Sequence, residues 1–522
     1  MYRYLISSFS YWHLVLLFTA AKLLIHLFTA ENYELHRDAL LYIAQGEHPD
    51  FGYWSTPPLT ALLGRLFRMV FGESTLAVRL LPALAGAASM MIIGDAVRRL
   101  GGKKPAGFMA MSAYLLSVAY LRTNSLFQPV ALDQMFWLLS LYLYLRLLLS
   151  RDPRWWLPLA AALGAGFLTK YSIALLGAGL FLATLAGPQR RLLFSREALY
   201  ALLIGLLLIS PNIWWQYRHN WVVFHHMELL RRYHLVHVSI GGFFLGILLM
   251  NFNTTIIWSA GLIATVARQD FRPVRPLVTA VIIVLVLMTY LQAKAYYTLG
   301  LFTILFALGG VILERWFWQS RKTVFFALWL LMPLILYPLL PLALPVYRFD
   351  RLKSYCDKLI KAGMDAPMRW EDGKVYPIPQ DYADMTGWKE LTDIVVRTWR
   401  KLPPEKQNRT AIYAENYGQA GAIAFYGKNN GLPEPICFNE SFLFWAPDHL
   451  DGVEHLIYIN NDTTDISNLF DEVVLSGRVS DPWFRERDLP VWLCSGPVDS
   501  EQNFYREKVA SLKRRFIRNY GI

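Results

Sequence analysis

The first two-thirds of the chain consists of long apolar runs separated by short charged breaks; the last third does not. Runs near 11–30, 77–97, 106–121, 131–149, 155–169, 171–186, 197–214, 241–266, 277–291, 298–313 and 324–346 are long enough, or nearly so, to read as membrane spans of about 20 residues. They predict a polytopic α-helical membrane protein with about 11 transmembrane helices over residues 1–346. The two short runs between 155 and 186 meet at Thr169-Lys170-Tyr171; merging them would reverse the topology downstream. The first run carries no small-residue cleavage site and reads as a retained span. From about residue 348 the pattern changes. Apolar runs at 409–415, 455–460 and 490–496 read as strands, "GQAGAIAFYG" as helical, and 386–402 as an amphipathic helix. Residues 347–522 are therefore expected to form a soluble α/β domain. The basic tail "LKRRFIRNYGI" reads as an amphipathic segment, either lying on lipid head groups or solvated.

Composition agrees with this division. The chain is 55% hydrophobic and 17% charged, with a mean hydropathy of +0.30. Residues 1–346 carry 28 basic and 13 acidic side chains; residues 347–522 carry 23 and 26. The basic excess thus belongs to the membrane part, where it sets orientation and meets anionic lipid. Nucleic acid is not implied. Arg98-Arg99 with Lys103-Lys104, Arg151 with Arg154, Arg190-Arg191 with Arg196, Arg268 with Arg272 and Arg275, and Arg315 with Arg321-Lys322 occupy alternate breaks. They all fall on the inner face if the N-terminus is cytoplasmic. The loops 31–76 and 215–240 and the C-terminal domain then share the outer face of a cytoplasmic membrane. The domain's three cysteines, Cys356, Cys437 and Cys494, allow one disulfide or none.

Several polar residues fall at outer helix ends. Asp38, next to Arg37, stands just beyond the first span and could remove a proton from an attacking hydroxyl; the bland reading is a loop acid paired with Arg37. Arg122 and Asp133 flank a second outer turn. Asp133 would orient an acceptor, support Asp38, or cap its helix. Lys170, Lys294, Arg231 and Arg232 run against the positive-inside rule. They would stabilise an anion such as a lipid-linked phosphate, or snorkel to the interface. Tyr296-Tyr297 follow Lys294. Five histidines (His219, His225, His226, His234 and His237) crowd one outer loop, with His225 and His226 the metal candidates. Their spacing fits no tight ligand motif, so a divalent metal stays open and no cofactor is required.

The segment "DALLY" (Asp38 to Tyr42) resembles the acidic first-loop motif of glycosyltransferase family 39, whose members have the GT-C membrane fold and include aminoarabinose transferases and protein O-mannosyltransferases. "YWSTPPLTALLGRL", with Thr56, Pro57 and Pro58, is similar to the family's Pro-Pro-Leu segment, and "ALDQMFW" to its second acidic motif. "GFLTKYS" and "KAYYTLGLFTILFALGG" resemble its lysine segments, and "AENYGQAGAIAFYG" and "DLPVWLCSGP" resemble the outer domain of a bacterial subgroup. The resemblance implies an inverting transfer from a polyprenyl-phosphate-linked sugar to a lipid, surface glycan or protein outside the membrane. Asp38 would be the base, and Lys170 and Lys294 would face the donor phosphate, with Arg122, Arg231, Arg232 and Tyr297 near it. Arg37, Tyr42, Thr56, Pro57 and Pro58 would support the first loop. Two places depart from the pattern. Ala39 follows Asp38 where an acid is frequent, and Ser55-Thr56 stand where aminoarabinose transferases carry Glu-Lys, a metal ligand and a phosphate-binding lysine. The alternative is a transporter or flippase of lipid-linked sugars, which would use the same cations and need no base.

Overall fold

The computed structural model describes residues 10–232, 239–464, 466–498 and 500–520. His234 and His237 lie outside them. Contacts divide the chain into two compact units that do not follow the sequence. One comprises Met1–Ala30, Phe71–Asn212 and Leu229–Val346. The other gathers Glu31–Val70, Ile213–Glu228 and Tyr347–Ile522.

Among the described residues, the secondary structure of the first unit is helical. Among the described residues, seven helices are long and apolar enough to cross a membrane: Tyr11–Thr29, Thr75–Arg99, Pro129–Ser150, Arg196–Arg218, Gln269–Tyr290, Ala295–Trp318 and Lys322–Ala343. An eighth span results if Ile240–Met250 and Phe252–Ala267, bent by 66° at their junction, count as one. The difference from eleven apolar runs lies in three short elements. Lys104–Leu116, Trp156–Phe167 and Ile173–Ala186 hold 13, 12 and 14 residues. At 1.5 Å per residue they reach only about 20 Å of a core roughly 30 Å thick. Apolarity was legible in those runs; the breaks at Ser117 and at Thr169-Lys170 were not long enough in sequence to show that the helices stop short.

The core of this unit is the helix Leu299–Leu313, in which every residue is buried. It packs on Thr255–Ala267 so closely that a Cβ on Gly309 would sit 1.9 Å from the Ile257 carbonyl oxygen. Small residues are what permit such backbone approach between membrane helices, where association rests on packing and not on exclusion of water. Trp137 and Tyr144 of the helix Pro129–Ser150 fill the same core.

The second unit is a small α/β fold. Its four strands, β1 (Thr410–Ala414), β2 (His455–Ile459), β3 (Phe470–Arg478) and β4 (Pro490–Pro497), are ordered β1-β2-β4-β3. β1 and β2 are parallel; the other pairs are antiparallel. Three strands match the expected runs. β3 does not appear among those runs because it is an edge strand with mostly exposed positions, and so lacks a long apolar signature. The expected helices form at Trp388–Arg400 and Tyr417–Tyr426. The first five residues of the basic tail, Leu512–Phe516, end the helix Ser500–Phe516, which packs on its own unit. Lys513 is buried and donates to Asp448, and Phe516 joins Trp54, Trp215, Val222 and Leu443 in one apolar cluster. That cluster draws on all three chain segments, which explains why Glu31–Val70 and Ile213–Glu228 fold with the C-terminal domain. The three cysteines are free and buried.

Candidate functional site

Asp38 is the second residue of the helix Arg37–Glu47, so its negative charge complements the exposed amides of the first turn. His36 is the N-cap residue, its Nδ1 accepting the Asp38 amide at 3.1 Å. The helix Tyr417–Tyr426 lies against Arg37–Glu47, and the contact needs glycine. A Cβ on Gly421 would fall 2.9–3.0 Å from the Cβ, carbonyl carbon and oxygen of Leu40. This packing brings the Tyr417 hydroxyl to Asp38, where it donates to Oδ1 at 2.8 Å. Asp38 keeps 33% of its side chain exposed, so a second molecule can reach it. Arg37 covers the Tyr417 ring, its guanidinium 4.4 Å from the centroid, and Asp38 is among the acids whose charge acts on it.

Behind Asp38 lies a buried charge network. His36 Nε2 is 3.8 Å from Asp381 and 3.7 Å from Asp384, and its Nδ1 is 3.9 Å from Asp38. Burial works against the imidazolium, but these carboxylates outweigh it and raise the His36 pKa. Asp384 meets Arg485 through both carboxylate oxygens at 3.1 Å. Burial nevertheless raises its pKa against the pull of His36 and Arg485. The Tyr417 phenol is raised by burial and by Asp38, so it remains a hydrogen-bond donor at neutral pH.

Glu440 adds a second acid. It holds φ 57, the left-handed region that a non-glycine residue occupies at a cost of about 1–3 kcal/mol. The Ser55 hydroxyl donates to Oε2 at 3.1 Å, and His226 Nδ1 stands 3.6 Å from Oε1. Its side chain is only 11% exposed. Burial, opposed by the Ser55 bond and reinforced by the Asp38 charge, lifts its pKa from 4.5 to about 8.

The first-loop residues are placed around the same helix. Thr56 is buried and donates to the Gln45 side chain at 3.2 Å; its carbonyl accepts the Tyr53 amide. Pro57 and Pro58 precede the helix Leu59–Phe71, and the Pro58 carbonyl accepts the Leu62 amide. Tyr42 packs beside Leu41 and Ala44. His225 contacts the rings of Trp54 and Phe516, and among the described residues no three His, Cys, Asp or Glu side chains converge as a metal site.

The remaining candidates lie in the helical unit. Asp133 is in the second turn of Pro129–Ser150, whose N-cap is Gln128, so it does not cap that helix. It is 3% exposed, accepts the Trp137 indole N–H at 2.9 Å and lies 3.5 Å from the Ser172 hydroxyl. Lys170 acts on it electrostatically. Lys170 occupies the break between Trp156–Phe167 and Ile173–Ala186, its Nζ 3.9 Å from the Tyr297 ring centroid and 5.0 Å from that of Tyr296. Lys294 is the N-cap of the short turn Ala295–Thr298 that presents both tyrosines. Arg122 is half-buried on Val118–Thr123; Arg231 and Arg232 are exposed. Within this unit the structure thus joins Lys170, Asp133, Tyr297 and, through the turn, Lys294. Within the other it joins Asp38, Arg37, Tyr42 and Thr56 with four residues the sequence reading passed over: His36, Asp384, Tyr417 and Glu440.

The fold is the GT-C fold. The structure matches ArnT from Cupriavidus metallidurans bound to undecaprenyl phosphate with a TM-score of 0.60, covering 92% of this chain and 97% of that one at 16% identity. The apo state of the same protein gives 0.58 over the same shares. In sequence, residues 55–215 match the dolichyl-phosphate-mannose-protein mannosyltransferase family. The lipid A galacturonosyltransferase RgtD of Rhizobium johnstonii is 24% identical over 216 residues, which is 41% of this chain and 45% of that protein. This chain therefore aligns with less than half the length of that curated relative. The resemblance drawn from the motifs is borne out in the fold and in the matched segment.

Proposed function

We propose that this protein is an inverting glycosyltransferase that moves a sugar from a polyprenyl-phosphate carrier to a hydroxyl or phosphate on a lipid, surface glycan or protein at the outer face of a bacterial cytoplasmic membrane. The observation that carries the reading is the state of Asp38. One oxygen is held by the Tyr417 phenol, and a third of the side chain stays open to a substrate. A base needs this combination of fixed orientation and access. With a hydroxyl acceptor, Asp38 takes the hydroxyl proton while that oxygen attacks the anomeric carbon from the face opposite the carrier. The carbon–oxygen bond to the carrier phosphate breaks, and its electron pair leaves with the phosphate. Lys170, in the helical unit, is the residue proposed to meet the carrier phosphate. Tyrosine faces hold its ammonium without neutralising it, so it can still meet an anion. Lys294, Arg122, Arg231 and Arg232 belong to the same anion-binding role, and Asp133 keeps Lys170 oriented. ArnT bound to undecaprenyl phosphate, which shares the fold, supports the choice of carrier class.

Reconstitution with a panel of undecaprenyl-phosphate sugars and lipid, glycan and protein acceptors tests this. Asp38→Asn should lower transfer roughly 10³-fold while binding of undecaprenyl phosphate persists; normal transfer by that variant would refute the base. A second reading, movement of the carrier across the membrane, draws on the 66° break between Ile240–Met250 and Phe252–Ala267. Labelled lipid that crosses liposomes without forming product would favour it.

A further inference from the structure

The α/β unit contains a cavity of about 540 Å³ that the transfer reading does not use. This lies within the roughly 300–1,000 Å³ of small-molecule sites. Its lining includes the residues at the carboxyl ends of the two parallel strands, the region where open α/β sheets bind ligands. Glu415 directly follows β1; Asn460 directly follows β2. Tyr413 and Tyr458 are register partners on those strands and stack at 5.3 Å. Phe438 and Tyr505 continue the aromatic wall, and Phe504 of the terminal helix is 42% exposed.

The polar groups are mostly acids and amides. Asn460 donates to Glu415 at 2.9 Å and to the Tyr458 hydroxyl at 3.0 Å, which leaves the Glu415 side chain fixed beside the rings. Asp462 stands at the rim with its Oδ1 bonded to the Thr464 amide. Glu501 lines the cavity at 5% exposure, and among the described residues its Oε2 has no hydrogen-bond partner. A buried carboxylate oxygen left without a donor is costly, and a ligand donor would relieve that cost. Three acids against the single Lys508 disfavour an anion. Ring faces beside fixed acceptors suit a molecule with an apolar C–H face and an equatorial belt of hydroxyl donors.

We infer that this cavity is a binding site for a saccharide unit without acid groups, the sugar portion of the acceptor. The acceptor assignment rests on the transfer reading; the binding itself does not. Saturation-transfer NMR on the full chain in nanodiscs, with no donor present, tests it using N-acetylglucosamine, glucosamine and galacturonic acid. At least one of the first two should give saturation transfer, with galacturonic acid at least tenfold weaker. Phe504→Ala and Glu501→Ala, each checked for an unchanged melting temperature, should cut the signal at least tenfold. If Glu501→Ala unfolds the chain, the surface variant Phe504→Ala alone decides. Silence from all three sugars, equal binding of galacturonic acid, or a signal indifferent to Phe504→Ala would overturn the proposal. Sugar binding without any transfer would instead sink only the transferase reading, and transfer without binding only this one.

Discussion

The two units hold their ionised groups in opposite ways. In the helical unit, Lys170 is surrounded by ring faces and feels one buried carboxylate, Asp133, which is itself bonded to an indole. In the α/β unit, Asp38 is one of several acids, with neutral donors or a shared histidine close by and arginine charges kept on Tyr417 and Asp384. A cation among quadrupoles keeps its charge available for a mobile anion. A carboxylate held by a phenol keeps its lone pairs available for a proton. Under the proposed transfer, the carrier anion would meet Lys170 and the acceptor proton would go to Asp38.

Variants that separate those tasks should break or sharpen the contrast. Asp38→Asn should lower turnover roughly 10³-fold, within the 10²–10⁴ range of general-base catalysis. Undecaprenyl phosphate affinity, read by calorimetry, should not move; a large loss of affinity would place the phosphate on the wrong unit. Lys170→Gln should show the converse, a loss of carrier affinity of about 10–100-fold for one charge-assisted contact worth roughly 1.5–3 kcal/mol. Unaltered carrier binding would remove Lys170 from the site. Tyr417→Phe deletes a single hydrogen bond to Asp38 and should cost about tenfold in kcat, with carrier affinity intact. An effect as large as that of Asp38→Asn would mean that the phenol touches the reacting atoms.

The smallest effect concerns Glu440. Its folded pKa of about 8 lies above the ordinary 4.5, so the native state holds this proton more tightly than the unfolded chain. Glu440 therefore stabilises the fold below about pH 4.5, and that contribution is lost as pH rises toward 8. Melting temperatures between pH 5 and 8.5 should fall more steeply for the wild type than for Glu440→Gln. Parallel curves would show that Glu440 is ionised throughout.

Much of this was legible in the chain. Asp38, Lys170 and Asp133 stood out because a charge beside an apolar run is expensive and therefore conspicuous. Tyr297 was noticed through its neighbour Lys294. Tyr417 lay inside a quoted segment, "AENYGQAGAIAFYG", yet nothing local tied it to an acid 379 positions earlier. Glu440 carried a faint signal, an acid between Phe438 and Phe442, but a glutamate there reads equally well as a loop residue. His36 and Asp384 carried none, since a histidine and an aspartate at helix ends are ordinary.

The sequence by itself determined what depends on sums along the chain: membrane helices from sustained apolarity, an α/β domain from alternating short runs, and a few charges whose location was costly. Tertiary structure alone decided what depends on meetings across it. The segments Glu31–Val70 and Ile213–Glu228 fold with the C-terminal third because their aromatic residues share its core. Gly421 lets two helices touch, so that Tyr417 reaches Asp38. Ser55 from a loop and His226 from the helix Val222–Leu230 converge on a buried glutamate from a third segment. Hydrophobic burial is roughly additive and leaves its trace in composition. Hydrogen bonding and pKa depend on distances of a few ångströms between residues hundreds of positions apart, and no local pattern records those.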